Sequence, residues 1–186
     1  RAQLEVLSYS TFLPLHGMDV ILHAAALVQD EPLRFRFIGD GPAYGEIVAL
    51  ADQLGLRNVR VDRPVPPVEL AACIAEADLC LGGHFYAGGK AGRVVPGKIY
   101  QMLAVGRPVF AADAPGNREL LTHGESAYFV PPADPTALAA ALRVLAHDEA
   151  QRQALAHAGR TRYVATASEA VITRQLRQIV NEMLAT

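Results

Sequence analysis

Three cations, Lys90, Arg93 and Lys98, fall within nine residues of one another, in a stretch from Gly82 to Lys98 that also carries six glycines. The chain has 15 arginines but only two lysines, and both lysines are here. A glycine-rich loop brings backbone N–H groups close to an anion, and a following helix adds unpaired donors and a favourable dipole. With three cations nearby, the chemistry suited to the segment is recognition of a diphosphate. A lysine in the first turn of a helix opposes the dipole, so Lys98 carries a small cost that a bound anion removes.

Two other loops hold residue types that fit the same chemistry. Ser10, Thr11 and His16 lie between the apolar run Leu4–Tyr9 and a helical pattern beginning at Met18. Gly39 and Gly41 end a third segment, but the third glycine of G-x-G-x-x-G is replaced by Tyr44, which speaks against a dinucleotide fingerprint. Tight turn geometry accounts for Gly39 and Gly41. His84, in the glycine-rich loop, joins His16 as a donor for phosphate or sugar. No spacing of histidines with Cys73 and Cys80 suits a metal, and no Ser-His-Asp set or nucleophile elbow occurs.

The elements that must position these loops follow from periodicity. Strand-length apolar runs at 4–9, 33–38, 58–61, 78–81, 108–111 and 128–130 alternate with helical patterns at 18–29, 43–54, 68–76, 96–105 and 117–122. Such alternation predicts an α/β fold: a Rossmann-like, doubly wound parallel sheet of about six strands. Its ligands bind beyond the carboxyl ends of the strands. After Asp134 the strands stop, and helices follow at 135–146 and 149–159. A long tail helix is expected within 162–186, with Ile172, Leu176, Ile179 and Met183 on one apolar face.

At 186 residues the chain is one domain, and 51% hydrophobic residues against 19% charged ones exclude disorder. No apolar run reaches the length of a membrane span. A net charge of -2 with no basic stripe argues against a nucleic-acid partner. Two cysteines fit reduced, buried thiols of a cytosolic protein. The sequence opens at Arg1 and enters a strand almost at once, the pattern of a piece of a longer polypeptide.

The motif order resembles the C-terminal domain of group 1, GT4-type glycosyltransferases of GT-B fold. The likeness rests on Ser8 to Val20, on Ile38-Gly39-Asp40-Gly41-Pro42, on Lys90 through Val109, on Asn117 to Leu121 with His123-Gly124, and on Pro131-Pro132 with Asp134-Pro135. It implies that residues 1–186 are the nucleotide-sugar-binding half of a two-domain enzyme, without the N-terminal acceptor domain, which is the partner. The implied activity is retaining, metal-independent transfer of a sugar from a UDP- or GDP-type donor, with no cofactor and with an inactive isolated half. A cytoplasmic location is implied, or a peripheral one at the membrane for the full-length protein.

Carried over residue by residue, the base lies against Arg63 to Val65, and Gln101 stands where the family has the acid that binds ribose. Arg93 stands where it has the acid near the donor sugar, and Ser10 and His16 replace its diphosphate-binding Arg and Lys. Lys90, Arg93 and Lys98 then supply the cations from the facing loop. Two other classes stay open: a catalytically degenerate interaction module, and a nicotinamide-binding domain, which the weak glycine pattern disfavours. As donor-binding half or as module alike, the chain is expected to associate through the apolar tail face, with a dimer as the outcome.

Overall fold

The computed structural model describes residues 3–185. Strands and helices alternate as β1 (Leu4–Ser10), α1 (Met18–Leu27), β2 (Leu33–Gly39), α2 (Tyr44–Gln53), β3 (Val59–Asp62), α3 (Pro67–Glu76), β4 (Leu79–Leu81), α4 (Gly97–Val105), β5 (Val109–Ala112), α5 (Pro115–Leu120) and β6 (Tyr128–Val130). Helices α6 (Pro135–His147), α7 (Glu149–Thr166) and α8 (Glu169–Leu184) complete the chain. All six strands are parallel, in the order β3-β2-β1-β4-β5-β6. This is the doubly wound arrangement that the alternation predicts.

The period-two pattern of the strands divides the core into two layers. Val6, Leu79, Leu81 and Phe110 face one side with Phe35 and Phe37, under α1 and α6. Leu7, Cys80, Val109 and Ala111 face the other, under α3 and α4. In β2 the intervening Arg36 pairs with Asp62 of β3 at 2.8 Å instead of entering the core. Helices α6 and α7 are capped by acids at extended or irregular positions. Asp134 accepts from the Ala137 N–H and Asp148 from the Gln151 N–H, both at 2.8 Å. Cys73 and Cys80 are buried free thiols, and burial pushes Cys80 up to about 12.

One expectation is corrected by the fold. The tail helix does not run through from 162: α7 continues to Thr166, and α8 starts afresh at Glu169. The reason is local. Thr166 and Ser168 turn their hydroxyls back onto the carbonyls of Arg162 and Val164, at 2.7 and 2.9 Å, offering the last turn partners other than a continuing backbone. Ser168 is extended, with ψ 154°, and gives α8 a new direction. In α8, Val171 is buried against the body while Ile172, Leu176, Ile179, Val180 and Met183 are exposed. No helix among the described residues is long and apolar enough to cross a membrane.

Candidate functional site

The strand order reverses at β1, whose neighbours are β2 on one side and β4 on the other. Chains leaving β1 and β4 diverge there and open a crevice at the carboxyl edge, where open α/β sheets bind ligands. The loop after β1 contains a short 3-10 helix at Pro14–His16, and the loop after β4 contains another at Gly89–Arg93. The two loops touch backbone to backbone. A Cβ on Gly17, which has φ 65°, would lie 2.7 Å from the Phe85 carbonyl carbon and 2.8 Å from the Tyr86 nitrogen. The Phe85 N–H donates to the His16 carbonyl at 3.3 Å, and the Phe85 carbonyl accepts from the Ala133 N–H at 2.7 Å. With its side chain fully buried, Phe85 thus fixes His84 beside His16. The two imidazoles stack, centroids 5.2 Å apart and planes inclined by 23°.

Lys98 occupies the first turn of α4 and is turned inward rather than out to solvent. Its ammonium donates to the Tyr9 carbonyl at 3.3 Å, and a Cβ on Gly83 would come within 3.2 Å of Nζ. Gly83 has φ 65°, so any larger residue there would be strained as well as crowd the ammonium. Tyr9 ties the same turn from the other side: its hydroxyl donates to Gln101 Oε1 at 2.7 Å. Burial lowers Lys98 to about 8. Burial, and then the Lys98 charge, lowers both His16 and His84 to about 4. His16 Nδ1 accepts the Leu13 N–H at 3.2 Å, so the neutral ring carries its proton on Nε2.

These groups line a cleft of about 490 Å³ together with Ser10, Thr11, Lys90 and the segment 94–97. No Asp or Glu is among its lining residues. A second pocket, of about 320 Å³, shares Tyr9, Ser10 and Thr11 with the first and continues to Ile38, Gly39, Asp40, Pro64, Val65 and Leu70. The two form one trough, cationic at the α4 end and largely apolar at the β3 end. A flat aromatic group fits the apolar end and an anion the cationic end.

The structure brings together most of the residues singled out by sequence. Ser10, Thr11, His16, Lys90 and Lys98 line the cationic end, and Gly39 and Val65 line the apolar end. Others stand apart. Arg93 is exposed, outside both linings, with Nε donating to the Gly89 carbonyl at 3.3 Å. Arg63 is held outside the apolar end by Asp40, at 2.8 Å, and stacks its guanidinium 3.9 Å over the Tyr44 ring. Gln101 lines neither pocket, and its carbonyl oxygen already accepts from Tyr9.

Turn geometry accounts for Gly41, whose φ is 142°, but close packing constrains both glycines. A Cβ on Gly39 would lie 2.0 Å from the Ser10 carbonyl oxygen, and one on Gly41 1.8 Å from that of Thr11. Gly39 lets the end of β2 lie directly on the end of β1, and Gly41 brings the following loop onto Thr11. Tyr9, read from sequence as an ordinary strand residue, is the group that joins the lysine, Gln101 and both pockets. Its position as the penultimate residue of a central strand was the available signal.

Residues 4–148 match the family described as glycosyl transferases group 1. The chain is 31% identical over 165 residues to an exopolysaccharide phosphotransferase of Streptomyces coelicolor, covering 87% of this chain and 16% of that protein. It is 26% identical over 183 residues to the amylovoran biosynthesis glycosyltransferase AmsK of Erwinia amylovora, covering 97% of this chain and 45% of AmsK. Among solved structures it is similar to Anabaena HepE in complex with UDP and glucose, with a TM-score of 0.83 at 19% identity, covering 97% of this chain and 48% of HepE. The chain therefore spans less than half the length of each of these proteins.

Proposed function

The chain belongs to the group 1 glycosyltransferases, and from that premise we propose that it is the donor-binding half of a retaining, metal-independent enzyme. Its ligand is a nucleoside diphosphate sugar of UDP or GDP type, lying along the trough. The base rests against Pro64 and Val65, and the ribose reaches towards Gln101. The diphosphate meets Lys98, Lys90 and the free N–H groups at the start of α4. The single observation that carries this reading is the inward ammonium of Lys98 at the β1/β4 reversal, in a cleft whose lining holds no carboxylate. The HepE complex with UDP supports the ligand class.

When the bond from the anomeric carbon to the β-phosphate oxygen breaks, its electron pair leaves on the diphosphate. Charge therefore develops where fixed cations and helix amides already point, which is the economical way to stabilise it. The acceptor and the groups that orient it belong to an N-terminal domain. On this reading the 186-residue chain binds donor and transfers no sugar.

A second reading, an interaction module that keeps the fold without the chemistry, is favoured by the exposed apolar face of α8 and by the exclusion of Arg93 from the cleft. Calorimetric titration with UDP, GDP, ADP and NADH separates the two. Saturable binding of one diphosphate that Lys98→Ala weakens is the expected result. Absence of binding at millimolar ligand sinks the donor-site reading and leaves the module.

A further inference from the structure

Two neutral imidazoles stacked beside an inward lysine are an unusual lining for an anion site, because they contribute charge only after taking up a proton. Resting on the donor-site reading above, we propose that the His16–His84 pair is the proton-linked element of this site: binding of a nucleotide sugar is accompanied by uptake of about one proton from solvent into the pair.

The geometry specifies both the limit and the direction of the effect. Centroids 5.2 Å apart leave room for one charge in the pair, since two would repel at that distance. The charged or titratable groups facing the pair are Lys98 from α4, Lys90 from the 3-10 turn of the facing loop, and Tyr9 from β1. None is an acid, so nothing in the lining supports an imidazolium until an anion arrives. The proton goes to His84. His16 Nδ1 already accepts the Leu13 N–H, a bond that protonation would forfeit, whereas His84 Nδ1 has no bond to lose and the backbone hydrogen bond with Ala91 favours the charged form of that ring. The new N–H is buried without an acceptor, so the ring charges only when an anion is present. In the free protein both rings stay neutral to about 4. A diphosphate diester brings two negative charges into the cleft and raises the pair, so the complex holds more protons than the free protein across weakly acidic pH. Affinity then rises as pH falls, until the free rings themselves begin to charge.

The test is calorimetric titration of the chain with UDP-glucose and GDP-mannose from pH 5.5 to 7.5, in buffers of differing ionisation enthalpy. These diesters have no phosphate proton that titrates in this range, so any uptake belongs to the protein. Uptake is read between pH 5.5 and 6.5, where the lysine, near 8 in the free protein, is charged in both states. Expected are uptake approaching one proton and an affinity that rises by up to roughly tenfold per pH unit where the pair titrates. His84→Gln is expected to flatten the profile, so that the ratio of its affinities at pH 5.5 and 7.5 falls towards one whatever its affinity at pH 7.5. Nitrogen-15 spectra of the imidazoles supply a second readout that needs no variant, with the His84 Nδ1 signal moving to its protonated position on saturation at pH 6. Binding without proton uptake, or with both rings neutral throughout, overturns the proposal and leaves the donor site standing. Failure of both nucleotide sugars to bind at every pH overturns the two together.

Discussion

The cleft between the β1 and β4 loops and the outer face of α8 are both surfaces with unmet demands, but of opposite kinds. In the cleft, basic groups are packed against backbone with no acid in the lining, and their charged forms are penalised. On α8, apolar side chains stand in water: Leu176 is 57% exposed and Met183 72% exposed. A penalised charge is relieved by a small anion at a fixed place. An apolar stripe is relieved by any shape-compatible surface, with far less geometric demand. The first kind of surface needs a rigid frame, and the second only a helix. Substitutions should therefore be costly in the cleft's frame and cheap on the tail.

The largest effect is expected where the frame is tightest. Gly39→Val places a side chain against the Ser10 carbonyl oxygen, which already lies 2.0 Å from a notional Cβ. The loops after β1 and β2 must separate, at a cost of about 3–5 kcal/mol or loss of folding. Gly45→Ala, in the exposed first turn of α2 with nothing near its Cβ, is the control. It should be neutral or stabilise by roughly 0.5–1 kcal/mol. Urea unfolding of both variants decides. Equal costs would mean that the frame is softer than its contacts.

The next effect concerns the lysine itself. Lys98→Ala should weaken diphosphate binding by about 10- to 100-fold, the range for loss of a charge-assisted contact. Lys98→Met, which keeps the stem but removes the buried charge, should raise the stability of the ligand-free protein by about 1–2 kcal/mol at pH 7. Lys98 has a folded pKa near 8 against an ordinary 10.5. Its cost is therefore fully present below pH 8 and fades as pH rises to 10.5, so the gain from methionine should shrink in that window. A gain that is constant from pH 7 to 10.5 would show that the ammonium is not desolvated.

The histidines give a comparable effect of the same sign at lower pH. Their folded values near 4 lie below the ordinary 6.5, so the unfolded chain takes up protons first as pH falls. Ligand-free stability should hold above pH 6.5 and decline towards pH 4. Because both rings are partly open to solvent, the pair should account for about 1–2 kcal/mol. Thermal unfolding of wild type and His16→Gln/His84→Gln across pH 4–7 isolates their share.

Legibility in the sequence followed the same division. Strand and helix order was readable because each element satisfies a simple period: Leu33, Phe35 and Phe37 alternate with Arg34 and Arg36, and Leu138, Ala141, Leu142 and Leu145 form one helical face that is buried. The location of the cationic loop was readable from glycines and lysines in one segment. Which cations enter the cleft was not. Lys98 and Arg93 are five residues apart, yet only Lys98 begins a helix whose first turn faces Tyr9 across the sheet edge. The packing demands on Gly39 and Gly41 and the stacking of His16 on His84 come from loops 29 to 68 residues apart meeting at one point, and no local pattern encodes that. The break between α7 and α8 rests on two side-chain hydroxyls whose alternative, pointing to solvent, reads identically in sequence.

The smallest expected change is on the tail. Leu176 and Ile179 are 57% and 52% exposed on α8 and are not among the buried residues of either core layer. Leu176→Glu with Ile179→Glu should therefore shift unfolding stability by no more than about 0.5 kcal/mol. A larger effect would come from a partner surface or from an apolar contact of α8 within the chain. Sedimentation alongside the unfolding experiment makes the distinction. If wild type is monomeric and the double variant is equally stable, the face is idle in this chain and available to another domain. If wild type is dimeric and the variant both dissociates and unfolds earlier, the face covers itself. The stability lost should then depend on protein concentration, as linkage requires. A concentration-independent loss would break the comparison, since it would make α8 part of the same frame that holds the cleft.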